Sequence, residues 1–452
     1  MSARSRTIAA VGAKRLLRAA WHARFGLCAP ACRRAALARE ARLACEELGP
    51  TFIKLGQLAS IRPDVFSAEA VFELERLQDS VAPVPVEQVR AAIRAALGGD
   101  PEAVFASFDP EPIASASIAQ VHRATLAEDY RPVCGEVLPR GAHVAVKVVR
   151  PGIARLIDED LTVARVWARR LSHLPALRRL SLEGFLDEFE QSLHSEMDLR
   201  NEGRLADRFA HDFRDDALVF VPRVVWRHTA RRVLTMEYVE GWRLTDIGEA
   251  ERAGVDAYGL ALHGAEVFMR QVLVLGRFHA DLHPANLFVT PDSRICYLDF
   301  GISGRTESGQ RVAIAQVLAA TVYGDADRAL RYSRALGLEI PERHEEAVRA
   351  RVAELLARTM AGPGPSDVRG FAMGFLSMLA DFKIAVPVGY GLLIKALVTV
   401  EGVARRLYPS IDIAQAAKPF ATRLIAREMA DPSRIAERLP LALRAALREL
   451  AS

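Results

Sequence analysis

The stretch from His279 to Gly301, HADLHPANLFVTPDSRICYLDFG, constrains the fold of this chain more than any other. Two short apolar runs, LFV and ICYL, flank the turn residues Pro291, Asp292 and Ser293, which predicts a hairpin between Asn286 and Leu298. Asp281 and Asn286 stand five apart before the hairpin, and Asp299 follows it in Asp299-Phe300-Gly301. Phosphoryl transfer needs such a set: one carboxylate to orient the nucleophile, and an Asn and a second carboxylate to hold Mg²⁺ on nucleotide phosphates. Mg²⁺ prefers oxygen ligands in an octahedron, and carboxylate and amide oxygens supply them. Asp281 is therefore the candidate catalytic residue, with Asn286 and Asp299 the candidate metal ligands. Any one of these residues alone would read as an ordinary turn former.

The upstream pattern agrees. Ile113 to Leu126 reads as a hairpin and Ala142 to Val149 as an alternating strand ending at Arg150-Pro151-Gly152. Helical periodicity follows over Ile153 to Ser172 and Leu182 to Phe213, with short strands at Leu218 to Val221 and Arg232 to Met236. After Gly241 the chain is largely helical apart from the hairpin. This order predicts an α+β, bilobal kinase-like fold: a helical N-terminal extension over residues 1–100, a smaller β-containing lobe over 101–240, and a helical lobe over 241–452. Lys147, in Val144-Ala145-Val146-Lys147, lies on the strand where such a lobe reaches the α and β phosphates, with a carboxylate from a neighbouring helix to fix it. Spacing leaves that carboxylate open among Glu196, Asp198 and Glu202.

Two departures narrow the chemistry. No G-x-G-x-x-G precedes Lys147; the corresponding hairpin reads Ala114-Ser115-Ala116-Ser117-Ile118-Ala119. Small residues admit close approach to phosphates, but Ala lacks the positive-φ freedom of Gly. The expectation is an altered nucleotide preference or slower turnover, with the Ser115 and Ser117 hydroxyls as phosphate donors. After Gly301 only ISGRTES precedes the next helical pattern, and no A-P-E segment follows. Without a peptide platform, a small molecule, a lipid or water is a better acceptor than a protein.

Composition excludes other classes. A net charge of +4 over 452 residues gives no case for nucleic acid. Cys28, Cys32, Cys45, Cys134 and Cys296 form no CxxC pair, which fits thiols in a reducing, cytoplasmic compartment. Val386 to Val400 contains Lys395 and is short for a membrane span, so it reads as a packed helix. The N-terminus lacks the apolar region of a secretory signal. It is basic, with Arg4, Arg6, Lys14, Arg15, Arg18 and Arg24 interleaved with Leu16, Leu17 and Trp21. That pattern fits a helix on an anionic membrane surface, a solvated helix face or a mitochondrial presequence.

Upstream of the β-lobe, Phe52 to Pro63 forms an amphipathic helix with a Lys54/Gln57 stripe, whose default role is packing. With Lys54-Leu55-Gly56-Gln57, the Ala-rich loop, Glu196-x-Asp198, H-A-D-x-H-P-x-N and D-F-G together, the chain resembles the UbiB/ADCK (AarF) family of atypical kinases from about Leu48 to Pro409. The resemblance implies ATP or ADP and Mg²⁺ as cofactors and a role in ubiquinone or isoprenoid-lipid metabolism. Its partners would be a quinone precursor or isoprenoid lipid and quinone-biosynthesis proteins. It implies ATPase activity rather than protein phosphorylation, with a nucleotide-gated lipid-binding module as the alternative. Lys54 and Gln57 would enter the pocket as regulatory residues, Lys54 pairing with Glu196 and Asp198 and leaving Glu202 to clamp Lys147. The expected nucleotide contacts are Ala114, Ser115, Ala116, Ser117, Ala145, Lys147, Glu237 and Val239. Many bacterial members of this family end in an apolar hairpin. Here Pro432 to Ser452 is Arg-rich, so peripheral rather than integral membrane association is expected. A small-molecule kinase of the antibiotic- or choline-modifying type shares the D-x-x-x-x-N pattern but leaves K-x-G-Q unexplained.

Overall fold

The computed structural model describes residues 3–426 apart from 26–29, 61–65, 67, 75, 78–80, 134, 174–181, 253, 280–281, 283–285, 302, 361–363, 386–387, 415–417, 420–421 and 424–425. Asp281, Cys28, Cys134 and the Pro432–Ser452 tail thus lie outside the described residues, as does the Cys32 side chain. The chain forms two compact units, one of residues 1–242 and 286–301 and the other of residues 243–285 and 302–452.

The first unit begins with helices α1 (Ala3–Phe25), α2 (Pro30–Leu48), α3 (Pro50–Ala59) and α4 (Ala68–Leu74). Gly49 separates α2 from α3 because it adopts φ +94°, which L side chains avoid, and Pro50 then starts α3, where a missing N–H costs nothing. Ile53, Ala59, Leu74 and Leu77 pack with Phe185 into a small core of their own.

The basic character expected of this end is partly neutralised within the fold. Arg4 binds the fully buried Asp160, Lys14 binds Glu47, Arg15 binds Glu40 and Glu47, and Arg42 binds Glu73. Asp160, Glu47 and Glu73 come from outside the acid-poor stretch, which is why that stretch alone reads as an open cationic face. Leu16, Leu17 and Trp21 stay exposed, each by more than 60%.

Next come α5 (Val86–Leu97), the single turn α6 (Pro101–Val104) and an antiparallel sheet in the order β1-β2-β3-β5. Its strands are β1 (Phe105–Ser115), β2 (Ala119–Leu126), β3 (His143–Val149) and β5 (Val233–Glu237). Alternation along β2 and β3 sends Ala124, Leu126, Val144, Val146 and Val148 into one core, which α5 covers with Val89 and Ile93. Each such Val, Leu or Ile side chain contributes roughly 1.5–3 kcal/mol by leaving water.

Helices α7 (Ile153–Leu171), α8 (Leu182–Glu196) and α9 (Leu199–Asp212) follow β3. The helical stretch expected from Leu182 to Phe213 is broken at Met197-Asp198, because Asp198 caps α9 by accepting from Arg200 N. The unit closes with β4 (Val219–Phe220) parallel to β9 (Ile295–Tyr297), which pairs antiparallel with β8 (Leu287–Val289). This is the hairpin legible in the sequence. Gly241 passes so close to it that a Cβ there would meet Val289 O at 2.4 Å.

The boundary between units falls within β6 (Trp242–Arg243). The second unit holds α10 (Ile247–Arg252) and α11 (Ala257–Arg270), the latter running into a π-helical turn, Gln271–Leu275. A two-stranded ladder joins β7 (Arg277–His279) to β10 (Ser303–Arg305), which the expectation of a largely helical region with a single hairpin did not include. Helices α12 (Ser308–Val322), α13 (Ala326–Ala335), α14 (Glu345–Thr359), α15 (Val368–Asp381) and α16 (Val388–Leu407) complete it around Val348, Leu356, Phe375 and Leu379. Among the described residues no helix is long and apolar enough to cross a membrane.

Candidate functional site

Strand β3 alternates, so Lys147 projects away from the core between Val146 and Val148. Its Nζ lies 2.7 and 2.9 Å from the two carboxylate oxygens of Glu202 on α9, and 3.4 Å from Asp299 Oδ2. Two anchors hold α9 in place. Leu199 N donates to Arg231 O at 2.9 Å, and Gly203 brings the helix so close to β5 that a Cβ would sit 3.1 Å from Trp226 and 3.2 Å from Leu234. Of the three carboxylates that spacing left open, Glu202 holds the lysine.

The same helix also locates Asp299. Phe209 is two turns beyond Glu202 and so shares its face. Its ring contacts Phe213, Tyr297 and Phe300 at centroid distances of 4.8, 4.9 and 5.4 Å. Phe300 is thereby buried, while Asp299 beside it remains part-exposed. Gly301 N donates to Asp299 Oδ1 at 2.7 Å, and a Cβ on Gly301 would crowd that oxygen at 3.0 Å. Across the hairpin, Leu298 N donates to Asn286 O at 3.0 Å. The ladder therefore brings Asn286 and Asp299 to the same open end.

The electrostatics follow from this crowding. Burial disfavours the Lys147 ammonium, but Asp299 and Glu202 outweigh it and raise its pKa, so it stays charged. Burial pushes Glu202 up to about 7, with Lys147 opposing and Asp299 adding repulsion. Glu196 also acts on Lys147, and Lys54 Nζ lies 2.5 Å from Glu196 Oε1. Among the described residues the set brings Lys54 and Lys147 together with Glu196, Glu202 and Asp299.

The carboxylate of Asp299 and the amide oxygen of Asn286 suit a hard divalent cation. Mg²⁺ commonly takes one or two protein oxygens and completes its shell with water and phosphate. Asn286 and Asp299 would hold it. Among the described residues no group of three or more His, Cys, Asp or Glu is placed to hold a metal ion.

Other expected residues sit differently. Asp198 does not join Lys54; its carboxylate binds Arg200 at 2.5 Å and caps its own helix. The Glu237 carboxylate is taken by Arg223, 2.7 Å from Nε, which leaves backbone at Glu237, the last residue of β5, and at Val239 beyond the strand. Ala145 pairs with Met236 on that strand. Gln57 is half-buried, and Ser60 Oγ donates to its carbonyl at 2.6 Å.

In the loop, none of Ala114 to Ser117 has positive φ, so Ala and Ser fill these positions without strain. Ser117 is fully buried, and Ser115 Oγ accepts from Arg150 at 2.6 Å. Ser115 keeps a hydroxyl proton to donate, whereas burial removes Ser117 from the exposed phosphate donors. Cys45, half-buried, is pushed up to about 12 by burial, and Cys296, fully buried, is also raised, so both are inert thiols.

Sequence reasoning passed over three supports. Arg150 reads as a strand end in Arg-Pro-Gly. Phe209 reads as helix core, although its seven-residue spacing from Glu202 carries the signal. Gln271, fully buried in the π-turn, accepts from His279 N at 2.8 Å and fixes the start of H-A-D. A single π-turn leaves no mark in hydrophobic spacing.

Residues 76–333 match the ABC1 atypical kinase-like domain, and residues 371–412 match the UbiB helical domain. The chain therefore carries an atypical kinase-like domain followed by a helical one. It is 34% identical over 385 residues to a probable protein kinase UbiB of Marinobacter nauticus, covering 84% of this chain and 68% of that protein. It is 35% identical over 417 residues to a probable protein kinase UbiB of Xanthomonas euvesicatoria pv. vesicatoria, covering 88% and 72%. A Mycobacterium tuberculosis protein solved with erythromycin shares the fold at TM-score 0.52 and 22% identity, over 92% of this chain and 95% of that one. The chain belongs to the UbiB family of ABC1 atypical kinases, with the bilobal α+β kinase-like fold expected from its sequence.

Proposed function

We propose that this chain binds ATP with Mg²⁺ and hydrolyses it, or transfers its phosphoryl group to a small lipid-like acceptor, in support of ubiquinone or isoprenoid-lipid synthesis. The observation that carries this reading is the Lys147–Glu202–Asp299 set, with Asn286 beside Asp299. Lys147, permanently charged, meets the phosphates; Glu202 holds its ammonium in place. Asn286 and Asp299 hold the metal, which when bound neutralises charge on the phosphates. Asp281 orients the attacking oxygen and receives its proton. The backbone of the Ser115–Ser117 loop and the Ser115 hydroxyl cover the phosphates.

Steady-state phosphate release from Mg-ATP tests this. Asp281→Asn and Asp299→Asn should each lower turnover at least about 100-fold, the usual size of a general-base or electrostatic contribution. Turnover unchanged by both would refute the enzyme reading.

One observation favours a second reading, a nucleotide-gated lipid-binding module. In the helical unit an apolar pocket of about 90 Å³ is lined by Met269, Leu318, Phe371, Phe375, Ile394 and Leu397 among others. Its wall offers an apolar chain contact without polar demand. Nucleotide binding without turnover, together with co-purified lipid, would decide for it.

A further inference from the structure

The loop expected to cover the phosphates is held by a side chain that belongs to none of the motifs. Arg150 leaves the end of β3 and is 7% exposed. Its Nε donates to Ala116 O at 2.7 Å and its Nη2 to Ser115 Oγ at 2.6 Å, both in the Ala-rich loop. The same guanidinium donates through Nη1 to Ala82 O at 2.9 Å and through Nη2 to Val81 O at 3.2 Å. Val81 and Ala82 lie on the linker leading from the K-x-G-Q helices into α5. Backbone bonds run the same way. Val81 N donates to Ser115 O at 3.2 Å, and Arg150 N donates to Ile118 O at 2.8 Å. Val84 N donates to Gln120 Oε1 at 2.9 Å, and Gln120 in turn bonds the buried His122.

We propose that Arg150 is a positioning residue that locks the Ala-rich loop to the Val81–Ala82 linker, so that the K-x-G-Q extension sets the height of the loop over the nucleotide. A planar guanidinium with five donors can satisfy four oxygens from two segments at once; a Lys ammonium has three donors and no fork. This loop is tied, and what ties it also ties the extension. The inference rests on the nucleotide reading above only in naming what the loop covers.

Hydrogen exchange by mass spectrometry on the full-length protein, with Arg150→Gln and Arg150→Lys, tests it. Without nucleotide, R150Q should accelerate exchange at residues 81–84 and 114–119 together, by about tenfold, the scale of one charge-assisted bond. Strand β3 and helix α9 should not change, and R150K should recover part of the protection. Mg-ADP should protect both segments in the native protein but only the loop in R150Q, whose Mg-ADP dissociation constant should rise about tenfold with it. Acceleration of the loop without the linker, or equal linker protection by nucleotide in R150Q, would overturn the coupling. If R150Q does not fold, the same comparison is read from R150K, where unchanged exchange in both segments overturns it. A native protein that gains no protection from Mg-ADP contradicts the nucleotide reading, while the nucleotide-free comparison still decides the lock.

Discussion

At the scale of the residue, the site is governed by how many charges share one buried volume. Burial, with Asp299 adding repulsion and Lys147 only partly offsetting it, makes Glu202 the group whose ionisation the fold resists. The sign follows from linkage. A carboxyl whose folded pKa is raised, from 4.5 to about 7, binds more protons folded than unfolded between those values. Stability then falls as pH rises through that window. Lys147 is charged in both states there and adds no slope. Melting temperatures of the metal-free protein and of Glu202→Gln, measured from about pH 5 to about pH 8, should show the native protein losing stability relative to the variant. Parallel curves would mean that Glu202 is not raised. Lys147 was legible in the sequence because a strand's period of two exposes it. Spacing alone did not single out its partner, because Glu196, Asp198 and Glu202 differ only in where α9 begins, and the Asp198 cap decides that; the family resemblance did point to Glu202.

At the scale of the element, helix α9 acts as a ruler between the lysine strand and the D-F-G segment, with Glu202 and Phe209 two turns apart on one face. Glycine sets the close contacts around it and elsewhere. In K-x-G-Q, a Cβ on Gly56 would meet Leu77 Cδ1 at 2.3 Å and Leu74 Cδ2 at 3.2 Å, which gives that glycine a packing reason independent of any chemistry. In the β7–β10 ladder, a Cβ on Gly304 would lie 2.1 Å from the Phe278 ring. Gly304→Ala should therefore destabilise the second unit by about 1–3 kcal/mol, and Gly56→Ala by about 1, since a leucine tip yields more readily than a buried ring. Chemical denaturation checks both, and an unchanged midpoint for G304A would contradict the packing. The β8–β9 hairpin was readable because its turn residues and apolar runs are adjacent. The β7–β10 ladder was not: each strand has three residues and its partner lies more than twenty away, so no local period marks it.

At the scale of the whole molecule, the chain divides into two compact units. The first holds Lys147, Glu202 and the hairpin with Asn286 and Asp299, and the second carries the H-A-D segment and the apolar pocket. Several N-terminal cations, Arg4, Lys14, Arg15 and Arg42 among them, are paired within the fold, so any membrane binding through α1 would rest on Leu16, Leu17 and Trp21 more than on charge. Flotation with anionic liposomes should then weaken in a Leu17→Ser/Trp21→Ser variant while responding little to salt. Strong salt sensitivity with no loss in the variant would restore the electrostatic account.

The central claim, that Lys147, Glu202, Asn286 and Asp299 form a Mg²⁺-nucleotide site, is tested most directly by ligand-induced stabilisation. Melting temperatures are measured with ATP, with Mg²⁺ and with both, in the native protein and in Asp299→Asn. The account predicts a shift with Mg-ATP that exceeds either ligand alone, amounting to about 2.7 kcal/mol at 100 times the dissociation constant. In D299N the Mg²⁺-dependent part of that shift should be lost. An equal shift with ATP in the absence of Mg²⁺, or an undiminished one in D299N, would contradict it.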